Sequence, residues 1–317
     1  MVKRHAGLSI ALALLFFLLG LLACRSIPGK GNAAQGKIEV DGRTRAYLVY
    51  APAASLTSQG MAQRFRGMIF VLHGGGGHAD RFAKLAPDIF SIADSLNLFL
   101  VFPQGVDESW NDGRLDPIST AHKENINDVA FLNALADKLG AEYSIPRTAT
   151  YIMGISNGGM MSQRAVCDSD RFQRAVSIAA NFPEDYTLNC NPSGPRSVLF
   201  ILGTEDPLVP FVGGPIKLFR KTRGNVLSAE NSVKYWREKN RCSEQSTSAS
   251  LPDTQKDETT AKREIWNCPG GRVGIVTVTG GGHTWPGGKQ YLPVMIVGRT
   301  SRDFSASKMA LDWMLQE

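Results

Sequence analysis

The chain has 317 residues, of which 43% are apolar and 20% are charged, as in an ordinary globular protein. This length suits one large domain or two small ones. The net charge of +6 is mild and spread along the chain. No basic run with interleaved aromatic residues occurs, so we expect no nucleic acid partner.

The N-terminus has the pattern of an export signal. Lys3 and Arg4 precede an apolar run from Leu8 to Ala23. The run has about sixteen residues, fewer than the twenty or so that a transmembrane helix needs, and fits the core of a signal peptide. We therefore interpret residues 1–23 as a signal peptide, with an ordinary cleaved signal or an uncleaved anchor as alternatives to a lipoprotein signal.

The lipoprotein interpretation depends on the end of the apolar run. Leu21-Leu-Ala-Cys24 resembles a bacterial lipobox, in which the cysteine is acylated and becomes the new N-terminus. Acylated Cys24 would hold the protein on a membrane face. Residues 24–36, rich in glycine and small side chains, are then interpreted as a short flexible tether.

Four further cysteines follow the predicted leader, and an even number in an exported chain indicates two disulfides. They allow three pairings, of which proximity in the sequence favours Cys167–Cys190 and Cys242–Cys268. Four buried free thiols are the alternative. No C-x-x-C spacing occurs, so we expect no zinc or other metal site.

Residues 37–317 show strands that alternate with helices, which predicts a single α/β domain with a mostly parallel sheet of eight strands and helices on both faces. The turn Asp41-Gly42 predicts a hairpin at its start. The polar stretch 243–262 is predicted to be a solvated loop. The predicted strands are 37–40, 44–50, 67–72, 98–102, 149–153, 174–179, 197–202 and 272–279, and the predicted helices are 80–96, 125–141, 160–167, 230–239 and 305–315.

One of these strands runs into the sequence Gly154-Ile-Ser-Asn-Gly158 and then into a helix. A G-x-S-x-G pattern between a strand and a helix is the nucleophile elbow of α/β-hydrolases. The two glycines keep the space beside Ser156 free of side chains, so its Oγ atom can meet a substrate. Ser156 is the candidate nucleophile.

The strand 67–72 ends in a glycine-rich sequence that suits acyl transfer. It continues into His73-Gly-Gly-Gly-Gly77, which resembles the H-G-G-G oxyanion loop of esterases. Backbone N–H groups of Gly74 or Gly75, together with that of Asn157, would bind the oxyanion. A phosphate-binding loop would need a Lys-Ser/Thr pair or a G-x-G-x-x-G pattern, and neither is present.

Candidates for the acid and the base follow two later strands. Glu205 and Asp206 both lie just past the strand 197–202, and Asp206 is favoured because Asp-Pro-Leu-Val-Pro resembles the acid loop of α/β-hydrolases. His283 follows the glycine run after the last strand. The order Ser156, Asp206, His283 is that of α/β-hydrolases. In this scheme His283 is the general base and the acid holds its tautomer.

Two tryptophans are candidates for a substrate pocket. Trp110 follows the strand 98–102, and Trp285 lies two residues after His283. The alternative for Trp110 is a core residue whose indole N–H has a partner. The segment 211–225, with a basic cluster, is a candidate lid.

The chain resembles the polyhydroxybutyrate depolymerase/feruloyl esterase family of secreted esterases over residues 37–317. Leu202-Gly-Thr replaces the His-Gly-Thr common in that family, which changes no triad residue. The motifs that carry the resemblance are His73-Gly-Gly-Gly-Gly77, Ser109-Trp-Asn111, Asn127-Asp-Val-Ala-Phe131, Gly154-Ile-Ser-Asn-Gly-Gly-Met160, Gly203-Thr-Glu-Asp206 and Gly282-His-Thr-Trp-Pro-Gly287.

The resemblance implies hydrolysis of carboxylic esters by an acyl-enzyme route without a cofactor. It leaves the ester open between hydroxybutyrate, feruloyl and acetyl esters. We expect a monomer that acts on such esters, without the separate polymer-binding module that polymer-degrading members often carry. A serine peptidase of the same fold and a catalytically silent binding lipoprotein are the alternatives.

Overall fold

The structure is a computed structural model that describes residues 29–53, 64–218 and 221–316. The predicted signal peptide and Cys24 lie outside these ranges. None of the helices within them is long and apolar enough to cross a bilayer.

The described residues form one large sheet and a separate small hairpin. The large sheet has ten strands in the order β1-β2-β4-β3-β5-β6-β7-β12-β11-β10, and the hairpin is β8-β9. The strands are β1 (Asn32–Val40), β2 (Arg43–Ala51), β3 (Gly67–Leu72), β4 (Leu98–Pro103), β5 (Thr150–Ile155), β6 (Arg174–Ile178), β7 (Ser197–Gly203), β8 (Gly214–Leu218), β9 (Lys221–Val226), β10 (Thr247–Ser250), β11 (Thr260–Cys268) and β12 (Gly271–Thr279).

The central strands, from β4 to β12 in sheet order, run parallel, and antiparallel strands flank them on both sides. All residues of β3, β4 and β7 are buried. Such uniformly apolar strands are expected where both faces of a parallel sheet are covered. The predicted α/β architecture is therefore confirmed.

Helices cover both faces of the sheet. In β3, Met68 and Phe70 face one core cluster and Ile69 and Val71 face the other, as the alternation of a strand requires. Residues of α4, α5 and α6 pack in the first cluster and those of α2 and α8 in the second. The helices are α1 (Phe82–Leu85), α2 (Asp88–Leu96), α3 (Thr120–Lys123), α4 (Asp128–Glu142), α5 (Asn157–Asp168), α6 (Ala229–Asn240), α7 (Val294–Val297) and α8 (Ala306–Leu315).

Several predicted boundaries are corrected by the structure. The predicted helix 80–96 is divided into a 3-10 turn (Ala79–Arg81), α1 and α2. Pro87 causes the break, because it lacks an N–H group and disfavours helical backbone at Ala86. β1 begins at Asn32, so part of the predicted tether belongs to the sheet.

The predicted count of eight strands is wrong. Four strands were missed. Of these, β10 lies within the predicted loop 243–262 and β11 begins near the end of that loop. β10 is fully exposed and has no apolar alternation that would reveal it. It joins the sheet through backbone pairing with β11, which pairs in turn with β12. Backbone pairing at a sheet edge does not depend on apolar side chains, so composition gives no signal.

Two disulfides join Cys167 to Cys190 and Cys242 to Cys268. The prediction of two disulfides with these partners is confirmed. The hairpin turn Asp41-Gly42 is confirmed as well, because Val40 pairs with Arg43 and both turn residues have positive φ.

The order of the strands brings the candidate residues to one edge. β3, β5, β7 and β12 all lie in the parallel part of the sheet. Their carboxyl ends therefore point the same way, which is where open α/β sheets form their sites. Gly74, Ser156, Asp206 and His283 each follow one of these ends.

Candidate active site

Ser156 lies at a strained turn between β5 and α5. Its backbone has φ 57° and ψ −128°, a region that residues other than glycine rarely adopt. The turn is held by the backbone, since Ser156 N–H donates to Ile178 O at 2.9 Å and Met160 N–H donates to Ser156 O at 3.0 Å. The strained conformation is therefore imposed by β6 on one side and by α5 on the other.

The two glycines that flank the serine are required by close packing. A Cβ atom at Gly154 would lie 2.4 Å from the carbonyl oxygen of Gly158. A Cβ atom at Gly158 would lie 2.4 Å from the carbonyl oxygen of His73. A larger residue at Gly154 would clash with the start of α5, and one at Gly158 would push the elbow away from the loop after β3.

The loop after β3 lies directly beside this elbow. A Cβ atom at Gly74 would be 3.3 Å from Cβ of Ser156, and one at Gly75 would be 3.8 Å from Cβ of Asn157. Within the described part of the chain, the N–H groups of Gly74 and Gly75 donate to no backbone or side-chain acceptor. Asn157 begins α5, and the first N–H groups of a helix have no acceptor in the helix itself. The three predicted oxyanion donors therefore lie next to Ser156.

The remaining glycines of the loop are anchored by hydrogen bonds. Gly76 N–H donates to Glu108 O at 2.8 Å, and Gly77 N–H donates to Gly74 O at 3.0 Å. The side chains of His78 and Glu108 are 2.6 Å apart and join the same two loops. These contacts hold the loop in one shape beside the serine.

His73 is buried at the start of the loop and shapes it. Its Nε2 atom accepts from Gly105 N–H at 3.0 Å, and its Nδ1 atom donates to Gly74 O at 2.8 Å. Burial lowers the pKa of His73 from 6.5 to about 4. The ring is therefore neutral at pH 7, and only the neutral ring has a nitrogen that can accept the hydrogen bond from the N–H group of Gly105.

Asp206 and His283 contact each other across the ends of β7 and β12. His283 Nδ1 lies 2.7 Å from Asp206 Oδ2. The other carboxylate oxygen, Oδ1, accepts from the N–H groups of Leu208 and Val209, each at 2.8 Å. Both side chains are nearly buried. The pairing occupies Nδ1, so Nε2 is the ring nitrogen available for proton transfer.

This contact separates the two candidate acids. Glu205 is exposed and its carboxylate lies 3.5 Å from Arg299, away from the histidine ring. Its backbone instead joins the two loops, because Glu205 N–H donates to Gly281 O at 2.9 Å. Asp206 is therefore the carboxylate that the structure brings to His283.

No hydrogen bond joins Ser156 Oγ to His283 within the described residues. Such bonds are often long before substrate binds and shorten in the reacting complex. The structure thus brings the acid to the histidine at the ends of the adjacent strands β7 and β12. It brings the oxyanion loop to the serine at the ends of the adjacent strands β3 and β5.

Burial argues against the predicted substrate contacts of Trp110 and Trp285, which stay predictions. Both side chains are fully buried, and a side chain without exposed surface cannot contact a bound ester. Trp110 Nε1 donates to His73 O at 2.9 Å, and Trp285 Nε1 donates to Ser307 Oγ at 3.1 Å. Both indoles therefore belong to the core, and Trp110 supports the oxyanion loop from behind.

Sequence reasoning missed a buried polar cluster behind the serine. Asp112 is fully buried and contacts Arg114, His122 and Asn157. The one signal in the sequence was that Asp112 directly follows the motif Ser109-Trp-Asn111. His122 is a partner of this carboxylate.

An exposed apolar run was also missed, and it belongs to the same loop as His283. Tyr291, Leu292, Val294, Met295 and Ile296 are all exposed, and Met295 is 89% exposed. The run is tied to the histidine, because Tyr291 Oη donates to His283 O at 2.9 Å and His283 N–H donates to Val297 O at 2.5 Å. Although part of the Tyr291 side chain is exposed, its hydroxyl is covered at this contact, and this burial together with the nearby Asp206 carboxylate raises the pKa of Tyr291, so the hydroxyl stays protonated.

The predicted lid segment is occupied mainly by the β8–β9 hairpin. Ile216 and Val226 of this hairpin pack with Met160 of α5 and Val209 of the acid loop. The hairpin is thus attached to two of the elements that carry candidate site residues. Its role as a lid stays a prediction.

Comparisons with known proteins place the chain among esterases. It is 32% identical over 295 residues to NocK of Nocardia uniformis subsp. tsuyamanensis, a protein named as an esterase, across 88% of this chain and 81% of that protein. It is 29% identical over 193 residues to feruloyl esterase B of Piromyces equi, across 57% of this chain and 32% of that protein. No family model matches the chain.

A solved structure supports the same fold. The acetyl xylan esterase from Aspergillus awamori is 11% identical and superposes with a TM-score of 0.54, over 79% of this chain and 94% of that one. At this identity the likeness concerns the fold.

Proposed function

The chain belongs to the feruloyl esterase-like family of α/β-hydrolase esterases, and on this premise we propose that it hydrolyses carboxylic esters through an acyl-enzyme on Ser156. The observation that carries the proposal is the 2.7 Å contact between His283 and Asp206, at the ends of β12 and β7 in the same parallel part of the sheet as β5, which ends at Ser156. The strained elbow and the glycine loop beside it supply the nucleophile and the anion-binding groups that this chemistry needs.

The proposed reaction has two steps. Ser156 Oγ attacks the ester carbonyl while His283 Nε2 takes its proton, and Asp206 stabilises the imidazolium. The N–H groups of Gly74 or Gly75 and of Asn157 bind the oxyanion of the tetrahedral intermediate. His283 then protonates the departing alcohol, and a water molecule releases the acid from Ser156 in the same way.

For the substrate, we propose feruloyl or acetyl esters of the kind that the names of the similar enzymes describe. A polyester such as polyhydroxybutyrate is the second candidate. The exposed apolar run 291–296 favours it, because contiguous exposed apolar side chains commonly mark a binding surface. Both candidates use the same acyl-enzyme chemistry.

We also propose that residues 37–317 form one catalytic domain that works as a monomer, exported and attached to a membrane face through acylated Cys24. The two disulfides support export, because disulfides persist in oxidising compartments. Incorporation of labelled palmitate into the wild type, with none into Cys24→Ser, is the expected result. A wild type that is exported without label would contradict lipidation.

One comparison of substrates tests the proposed function. Methyl ferulate, p-nitrophenyl acetate, hydroxybutyrate oligomers and peptide anilides are assayed side by side, with Ser156→Ala as the blank. We expect turnover of at least one ester and none of the anilides. Cleavage of the anilides alone would indicate a serine peptidase, and no turnover of any substrate would indicate a silent binding protein.

A further inference from the structure

Asp112 is a fully buried carboxylate in the segment that follows β4. Its Oδ2 atom accepts from Arg114 Nη2 and from Asn157 Nδ2, each at 2.6 Å. Its Oδ1 atom accepts from Arg114 Nε and faces His122 Nε2, each at 3.0 Å. A buried charge with this many partners is well compensated, which is the condition under which it persists in a core.

Asp112 is ionised in the folded protein. Burial alone would raise its pKa, but the charge of Arg114 and the hydrogen bonds from His122 and Arg114 outweigh burial and hold the pKa below the ordinary range. Hydrogen bonds to an ionised acceptor are about twice as strong as neutral ones. The bond that Asp112 accepts from Asn157 is therefore of the strong kind.

Asn157 is held on both ends of its amide. Its Oδ1 atom accepts from the backbone N–H of Trp110 at 2.8 Å and from Ser109 Oγ at 3.2 Å. Its Nδ2 group donates to Trp110 O at 2.9 Å as well as to Asp112. Asn157 directly follows Ser156, and its backbone N–H is one of the proposed oxyanion donors. The amide is therefore an anchor that fixes where this N–H group lies.

The same carboxylate is connected to the β8–β9 hairpin through Arg114. Arg114 Nη1 donates to Arg223 O at 2.5 Å, and Arg223 Nη1 donates back to Ile118 O at 3.0 Å. Gly224 makes room for this side chain, since a Cβ atom there would lie 3.0 Å from Arg114 Cδ. The hairpin and the segment after β4 thus hold each other in place.

We propose that Asp112 is a positioning residue, which fixes the oxyanion donor of Asn157 through the amide of that side chain and ties it to the β8–β9 hairpin through Arg114. The inference rests on the proposed acyl-enzyme function. It gives Ser109, Trp110 and the nearby Asp112 a shared task, which is to hold the first residue of α5 from outside the elbow. Asp112 touches no reacting atom and acts only through Asn157.

The test uses Asp112→Asn in the full-length protein, assayed with p-nitrophenyl acetate. Loss of a single oxyanion donor lowers kcat by about 100-fold to 1,000-fold, and displacement of the donor should cost a part of this, about 10-fold to 100-fold. KM should change less than about threefold, because the ground-state carbonyl relies less on the donor. Affinity for a trifluoromethyl ketone, which forms a tetrahedral adduct with the serine, should fall in parallel with kcat.

Asp128→Asn is the matched control. Asp128 is also a buried carboxylate paired with an arginine, Arg45 at 2.7 Å, and it accepts from the N–H group of Asn111. It supports the same segment without contacting Asn157. We expect this variant to lose stability yet keep its affinity for the ketone. An equal loss of affinity in both variants would overturn the specific role of Asp112.

A second variant, Asn157→Ala, keeps the proposal testable if Asp112→Asn folds poorly, and a double-mutant cycle applies where both single variants fold. Asn157→Ala keeps the backbone N–H and the pair of Asp112 with Arg114, and it should reproduce the fall in kcat. If Asp112 acts through Asn157, the double variant loses no more kcat than the worse single variant. Losses that multiply, or an Asn157→Ala variant with unchanged kcat, would overturn the proposal.

The outcome for the wild type separates this inference from the proposed function. A wild type that forms no adduct at Ser156 refutes the proposed function itself. A wild type that forms the adduct, together with an Asp112→Asn variant that keeps its kcat, refutes only the positioning role.

Discussion

His283 and Asp206 are joined by a contact of 2.7 Å between Nδ1 and Oδ2, at the ends of two neighbouring parallel strands. The carboxylate is itself oriented by two backbone N–H groups, of Leu208 and Val209. The ring therefore has one orientation, with Nε2 as its free nitrogen, and this is what a general base next to a serine needs.

Asp206→Asn should lower kcat by about 10,000-fold, because an amide in this place stabilises the wrong tautomer of His283. The neighbouring Glu205→Gln is the matched control, since this carboxylate is exposed and pairs with Arg299. We expect the control to keep its kcat within about twofold, as exposed ion pairs contribute little. Steady-state kinetics on p-nitrophenyl acetate measure both. Equal losses would mean that the acid was assigned wrongly.

His73 makes the stability of the fold depend on pH. Its pKa is lowered by burial from 6.5 to about 4. The unfolded chain therefore binds a proton between pH 6.5 and pH 4 that the folded protein does not, so stability is complete above pH 6.5 and falls as the pH drops through this window. The loss reaches about 3 kcal/mol at its lower end.

The check is the free energy of unfolding in urea at pH 7 and pH 4.5, for the wild type and for His73→Gln. The glutamine can accept from Gly105 N–H in place of Nε2 but does not titrate. The variant should therefore show a smaller difference between the two pH values. An unchanged difference would assign the acid sensitivity to other groups.

The two buried tryptophans should affect the enzyme differently. Trp110→Phe removes the hydrogen bond to His73 O behind the oxyanion loop, so kcat should fall, while KM for a small ester stays the same. Trp285→Phe removes only the bond to Ser307 and should lower the melting temperature without changing kcat or KM. A large rise in KM for either variant would restore the substrate-contact role that burial argues against.

The exposed apolar run beside His283 offers a test of substrate class. Met295→Gln should slow hydrolysis of a suspended polyester and leave turnover of dissolved p-nitrophenyl acetate unchanged, because only a large apolar substrate covers that surface. Leu188→Gln is the matched control, as Leu188 is 95% exposed and lies outside the loop of His283. An unchanged rate on the suspended polyester would leave only the small esters as candidates.

The sequence predicts the elbow and the acid–histidine pair, because each of these residues lies in a short motif at the end of a strand. Gly154 packs against Gly158 within the elbow, and Gly158 packs against the carbonyl oxygens of Leu72 and His73 at the end of the neighbouring strand β3. The order of Ser156, Asp206 and His283 along the chain follows from the parallel sheet, which the alternation of strands and helices predicts. Strand ends alone thus indicate which residues meet.

The contacts behind the serine could not be predicted in this way. Asp112 and Asn157 are 45 residues apart, and their meeting depends on how the segment after β4 packs on α5. The sequence around a tryptophan near a site does not show whether its side chain lines a pocket or fills the core. The burial of Trp110 and Trp285 therefore could be seen only in the structure. The edge strand β10 has no apolar pattern, so only its backbone pairing reveals it.

The central claim is that Ser156 is the acylated nucleophile, and labelling with a fluorophosphonate followed by mass spectrometry tests it most directly. We expect one covalent adduct on the peptide that contains Ser156 in the wild type. We expect no adduct in Ser156→Ala and far slower labelling in His283→Ala. Labelling of another serine, or equal labelling of the wild type and Ser156→Ala, would contradict it.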